Sequence, residues 1–166
     1  MNRTPFLGAV LSIVAIAFTA TAGNLAPSTP VPAGNQDRHF IDTADHVRIA
    51  AVDYVTGYDD ALVVTVEIDP GFHVNANPPS LPYLIPTTLH VTSQTPLRVV
   101  YPSPVSFKPK FAEQTINVYE GSIQIVAEFP RGVLAAGTHM FGTLTVQACT
   151  DEICLPPADL PLPGKR

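Results

Sequence analysis

The segment Leu62 to Ile68 reads Leu-Val-Val-Thr-Val-Glu-Ile, with every even-numbered position apolar and Thr65 and Glu67 among the odd ones. Successive side chains of an extended chain point to opposite faces. This alternation therefore suits a strand with one face in a core and one toward water, and it does not suit a helix of 3.6-residue period. The same period recurs in Ser122 to Phe129, where Ile123, Ile125, Ala127 and Phe129 share a side. In Gly142 to Ala148, Leu144 and Val146 alternate with Thr143, Thr145 and Gln147. Weaker strand candidates are Val47–Tyr54, Phe72–Asn75, Thr87–Thr92, Leu97–Tyr101, and Ile153–Leu155 followed by Leu160–Leu162. No segment carries a helical period of useful length.

Prolines and glycines fall where those strands would end: Asp69-Pro70-Gly71, Pro78-Pro79, Pro102 and Pro104, and Pro130-Arg131-Gly132. About eight short strands with turns between them predict an all-β fold, an immunoglobulin-like antiparallel β-sandwich. The chain of 166 residues favours one such domain. It is expected to span residues 39–166, long enough to bury a core without a covalent staple.

The residues before it read differently. Arg3 precedes an apolar run, Phe6 to Phe18, of about 13 residues, shorter than a bilayer span requires. Ala20-Thr21-Ala22 then offers a small-x-small cleavage pattern, so residues 1–22 are expected to be a cleaved signal peptide, with an uncleaved anchor as the alternative. No cysteine lies near that point, which argues against a lipoprotein. Residues 23–38, rich in Pro, Ala, Ser and Gly, read as a flexible linker. No later stretch resembles a membrane span. Net charge is −5 and loss of Arg3 makes the chain more acidic still; without a Lys/Arg cluster, nucleic acid and anionic lipid are not expected partners. A monomer in the bacterial periplasm is the expected state.

Export gives the two cysteines their meaning, because in an oxidising compartment two nearby thiols normally pair. Cys149 ends a strong strand and Cys154 opens the next apolar stretch, so four residues separate them across a tight reversal. A clip closing so short a loop contributes only about 2 kcal/mol on the chain-entropy model. Sandwiches that use a disulfide as a staple join their two sheets. An exposed pair within one turn is a plausible reagent. The residues alone leave exchange and clip both open. A thioredoxin-type site does not fit, since the spacing is not Cys-x-x-Cys, and Asp151 and Glu152 would raise a neighbouring thiol's pKa. Five scattered histidines, two methionines and one cysteine pair do not complete a metal-ligand set, and no metal or other cofactor is expected. His139, beside Met140, reads as a strand-end residue.

Four segments carry a family resemblance: Gly71-Phe72-His73-Val74-Asn75-Ala76-Asn77-Pro78-Pro79, Leu84-Ile85-Pro86-Thr87, Val118-Tyr119-Glu120-Gly121, and Ala148-Cys149-Thr150-Asp151-Glu152-Ile153-Cys154-Leu155-Pro156-Pro157. Together they resemble the N-terminal periplasmic domain of the thiol:disulfide interchange protein DsbD and its stand-alone relatives. The last is the most specific, and the likeness covers Val47 to Leu162.

The resemblance implies an immunoglobulin-like fold and a redox pair, Cys149 and Cys154, with Cys154 forming mixed disulfides. It implies as partners a thioredoxin-like or membrane-embedded thiol reductase and periplasmic disulfide-containing clients. The family protein continues into a membrane domain and a thioredoxin-like domain, which this sequence does not include, so a separate polypeptide is expected to reduce it.

The resemblance also implies a cap loop bearing an aromatic residue. Pro104 to Val118 is the candidate, with Phe107 and Phe111 competing and Phe111 preferred; Glu113 is a candidate proton donor. His73 and Asn75 are candidates for positions near the pair, with a structural role the commoner outcome for a strand histidine. Pro78-Pro79, Tyr119 and Gly121 read as architecture, Gly121 for a turn and Tyr119 for packing with a hydrogen-bonded tip. The rival class is a non-catalytic binding or assembly module whose disulfide is a structural clip.

Overall fold

Alternating apolar residues become strands wherever both neighbours can pair with them. In the computed structural model, which describes residues 41–57, 59–134 and 138–163, β1 (Val47–Val55), β2 (Asp60–Ile68), β8 (Ser122–Phe129) and β5 (Arg98–Val100) form one sheet in the order β1-β2-β8-β5. A second sheet has the order β10-β3-β7-β6, from Ala148–Cys149, His73–Asn75, Ile116–Tyr119 and Val105–Phe107. A third, β11-β9-β4, joins Ala158–Pro161, Gly142–Val146 and Thr88–Val91. Every pairing is antiparallel. The fold is the expected all-β, immunoglobulin-like sandwich. A single 3₁₀ turn, Thr43–Asp45, is the helical content of the described residues, capped by Asp42, and no helix among them could cross a membrane.

The core follows the alternation. Leu62, Val64, Val66, Ile125, Ala127 and Phe129 on the first sheet are fully buried, and they pack in one cluster with Val74, Leu144, Val146 and Ala148 from the other two. Each Val, Leu, Ile or Phe among them contributes about 1.5–3 kcal/mol by leaving water. Gly121, at φ 65°, makes the turn between β7 and β8, where its carbonyl accepts a hydrogen bond from the Ile68 amide. Tyr119 is buried with its hydroxyl accepting from the Asn77 amide at 3.1 Å.

Two strand expectations need correction. Gly142 to Ala148 is not one strand: β9 pairs in the third sheet, and after Gln147 the chain enters the second sheet as β10. The segment from Pro104 to Val118 is not one loop either. β6 and β7 pair within it through Val105–Val118, Ser106–Asn117 and Phe107–Ile116, which leaves only residues 108–115 as the connection. The expected leader (1–22), linker (23–38) and the first residues of the domain lie outside the described residues.

A second, smaller cluster sits on the other side of the second sheet. Leu81, Leu84, Ile116 and Val118 are buried there, with Phe107 and Ala112 packed against them. Ile116 and Val118 face this cluster while Tyr119 belongs to the main one. The second sheet is thus covered on both faces, and its outer cover brings residues 107–112 toward the cysteine end.

A disulfide hairpin beside a buried histidine

Cys149 and Cys154 form a disulfide, with Cα atoms 4.0 Å apart. They face each other as an isolated antiparallel bridge, flanked by hydrogen bonds from Leu155 N to Ala148 O and from Thr150 N to Ile153 O, each 2.8 Å. Non-hydrogen-bonded antiparallel pairs bring side chains closest, which lets sulfur meet sulfur there. The Thr150 hydroxyl tightens the turn by accepting from the amides of Glu152 and Ile153, both at 3.2 Å. Asp151 and Glu152 are left at the tip.

The base of the hairpin is held from an unexpected direction. Thr43, fully buried in the 3₁₀ turn, accepts from the Ala148 amide at 2.9 Å and donates to the Pro156 carbonyl at 2.6 Å. One hydroxyl thereby ties together the strands entering and leaving the cysteine turn. The two cysteines are unequal: Cys149 is fully buried, whereas Cys154 is half-buried.

His73 lies directly across from Cys149 in the β3–β10 pairing, so the two side chains share a face of the sheet. Its ring is buried and meets Phe107 at 4.2 Å between centroids, tilted by 45°. Burial lowers the His73 pKa to about 4, against an upward pull from Asp151. The imidazole is therefore neutral at ordinary pH and adds no positive charge that would favour a Cys149 thiolate. Its Nε2 has no hydrogen-bond partner among the described residues. An open cleft of about 670 Å³ begins at this point, walled by Phe72, His73, Phe107, Glu120 and Asp151 among others.

Of the other sequence candidates, Asn75 is buried one pleat away and serves the scaffold. Its side chain donates to Ile85 O at 3.0 Å, and its carbonyl accepts from the amide and hydroxyl of Thr87. The aromatic residue beside His73 is Phe107 rather than the preferred Phe111, because β6 carries Phe107 onto the second sheet while Phe111 lies beyond the strand. Phe111 and Glu113 line a different shallow cavity with Tyr83, Ala112 and Gln114.

A residue the sequence reading missed is Lys110. Its amide donates to Asp151 O at 2.7 Å, and its ammonium reaches Asp151 Oδ2 at 2.9 Å and Glu152 Oε1 at 2.8 Å. Hydrogen bonds to these carboxylates raise the Lys110 pKa, and the same ammonium lowers that of Asp151. The signal available in the sequence was a pair of lysines, Lys108 and Lys110, in a mostly acidic chain that places two carboxylates between its cysteines. No group of three or more His, Cys, Asp or Glu among the described residues is placed to hold a metal ion.

Comparison with known proteins points to one family. The family model described as "Thiol:disulfide interchange protein DsbD, N-terminal" matches residues 17–160. No curated protein matches the sequence. Among solved structures, the N-terminal periplasmic domain of ScsB from Proteus mirabilis is similar at a TM-score of 0.50 and 20% identity, over 72% of this chain and 49% of that one. The chain thus spans about half the length of that relative, and the likeness is one of fold. The Neisseria meningitidis DsbD N-terminal domain in the reduced form matches at a TM-score of 0.48 and 16% identity, over 67% of this chain and 80% of that one.

Proposed function

The chain belongs to the DsbD N-terminal family, and on that premise we propose that it is a periplasmic thiol:disulfide exchange carrier whose redox pair is Cys149 and Cys154. The observation that carries this reading is the unequal burial of the pair, with Cys149 enclosed and Cys154 half-buried. An incoming thiolate must reach a sulfur along the S–S axis, and Cys154 is the less enclosed of the two.

When the domain is reduced, a donor thiolate attacks Cys154 Sγ, the S–S bond breaks, and Cys149 leaves as a thiolate that takes a proton. The donor's second thiol then displaces Cys154, so two electrons and two protons have entered the domain. In the opposite direction, the Cys154 thiolate attacks a client disulfide to form a mixed disulfide. Cys149 resolves it by attacking Cys154 Sγ, releasing the client's thiol. Asp151, Glu152, the neutral His73 and burial all keep Cys149 from being a strongly activated nucleophile. The domain therefore depends on reactive partners: a thioredoxin-like or membrane-embedded reductase on one side and disulfide-containing periplasmic proteins on the other. Phe107 would shield the pair, with residues 108–115 completing the cover, and residues 1–22 would direct export.

Equilibration of the purified domain with dithiol buffers tests the reading. A midpoint above about −300 mV supports exchange, whereas a lower one makes the disulfide a clip and the domain a binding or assembly module.

A further inference from the structure

The charge arrangement at the tip of the cysteine hairpin is built from two segments far apart in sequence. Asp151 and Glu152 lie between the cysteines, and the 108–115 connection supplies Lys110 with three bonds to them: one from its amide and two from its ammonium. Lys108 braces the same connection from within, its ammonium donating to the carbonyls of Ala112 and Glu113. The connection is thus tied to the redox turn at one residue and folded upon itself at another. Around this tie, Phe111 and Ile153 remain exposed, so little apolar burial holds the two segments together there.

Resting on the exchange reading, we propose that Lys110 is a positioning residue that works as an electrostatic latch, holding the 108–115 connection on the Thr150–Ile153 turn and so restricting access to Cys154. A docking partner that presents carboxylates to Lys110 or cations to Asp151 and Glu152 would compete for these bonds and release the connection. Ion pairs between exposed groups are weak singly and screened by salt. They suit a latch that must open on contact, since they hold a segment without a large apolar surface to be re-exposed.

The test uses an uncharged reductant, tris(hydroxypropyl)phosphine, whose attack is not biased by the charge of the site. The phosphine attacks one sulfur, takes oxygen from water to become the phosphine oxide, and leaves two thiols. At low ionic strength, Lys110→Gln should be reduced about three- to tenfold faster than wild type, as expected for loss of two exposed ion pairs. The Asp151→Asn/Glu152→Gln double variant should match it, and Lys110→Arg should behave as wild type. Salt should accelerate wild type toward the variant's rate and leave Lys110→Gln unchanged, a dependence that a merely structural role would not produce. Equal rates for wild type and Lys110→Gln would overturn the latch while leaving exchange standing, because phosphine access does not depend on any protein partner. A disulfide that the phosphine cannot reduce in any of these variants would overturn both.

Discussion

The two hydrophobic clusters of this molecule differ in size and in what they serve. The main one runs through all three sheets and contains residues such as Leu62, Ile125, Phe129 and Leu144 with no exposed surface. The outer one has four buried residues, two of them, Leu81 and Leu84, from the segment leading to β4. It backs Phe107, and through Phe107 the buried His73 and the cysteine hairpin. A domain with its stability concentrated in one core can leave a thin layer over its cysteine end, where local opening costs less than global unfolding. The site lies on the thin side.

Substitutions that sample each side should break this contrast if it is wrong. The largest effect is expected from Phe129→Ala in the main core, a loss of about 3–5 kcal/mol in urea unfolding, against about 2 kcal/mol for Leu81→Ala in the outer cluster. Next comes Thr43→Val, which keeps the shape but leaves the Ala148 amide and the Pro156 carbonyl unpaired. It should cost about 1–3 kcal/mol, and hydrogen exchange should rise at the base of the cysteine hairpin more than in β2 or β8.

A smaller effect, sharper in its pH dependence, belongs to His73. Its folded pKa of about 4 lies below the ordinary 6.5, so between those values the unfolded chain binds a proton that the folded one refuses. Stability should therefore fall as pH drops from about 6.5 to about 4 and then level off for this group. Asp151, whose pKa is lowered by Lys110, loses its contribution further into acid. His73→Phe should flatten the upper part of that slope in urea unfolding measured across pH. Smallest in stability is Phe107→Ala, which opens the outer cover. Since burial is the main cause of the low His73 value, the pKa read by NMR titration should move up toward 6.5 while the main core keeps its protection.

What the sequence revealed follows the same division. Strands β2 and β8 were legible because each repeats the apolar period over eight or nine residues, and the core they form needs nothing else to specify its face. The split between β9 and β10 was not, because Gln147 keeps the alternation in phase while the pairing partner changes, and periodicity encodes a face but not a neighbour. Strands β6 and β7 escaped because three and four residues give too few alternations to stand out between Pro104 and Pro109 or beside a turn.

At the site, the cysteine pair could be picked out as a candidate from its spacing, and His73 only through the family resemblance. Placing Phe107 rather than Phe111 beside His73 required knowing where β6 ends. Thr43 and Lys110 act across about a hundred and about forty residues of chain, and only the folded topology brings them to the hairpin.

The central claim is that Cys154 exchanges while Cys149 resolves, and mixed-disulfide trapping tests it most directly. Periplasm producing Cys149→Ala should yield adducts that reductant releases and that disappear when Cys154 is also replaced, with far fewer adducts from Cys154→Ala. Adducts forming mainly through Cys149 would contradict the assignment, and none from either variant would contradict exchange itself.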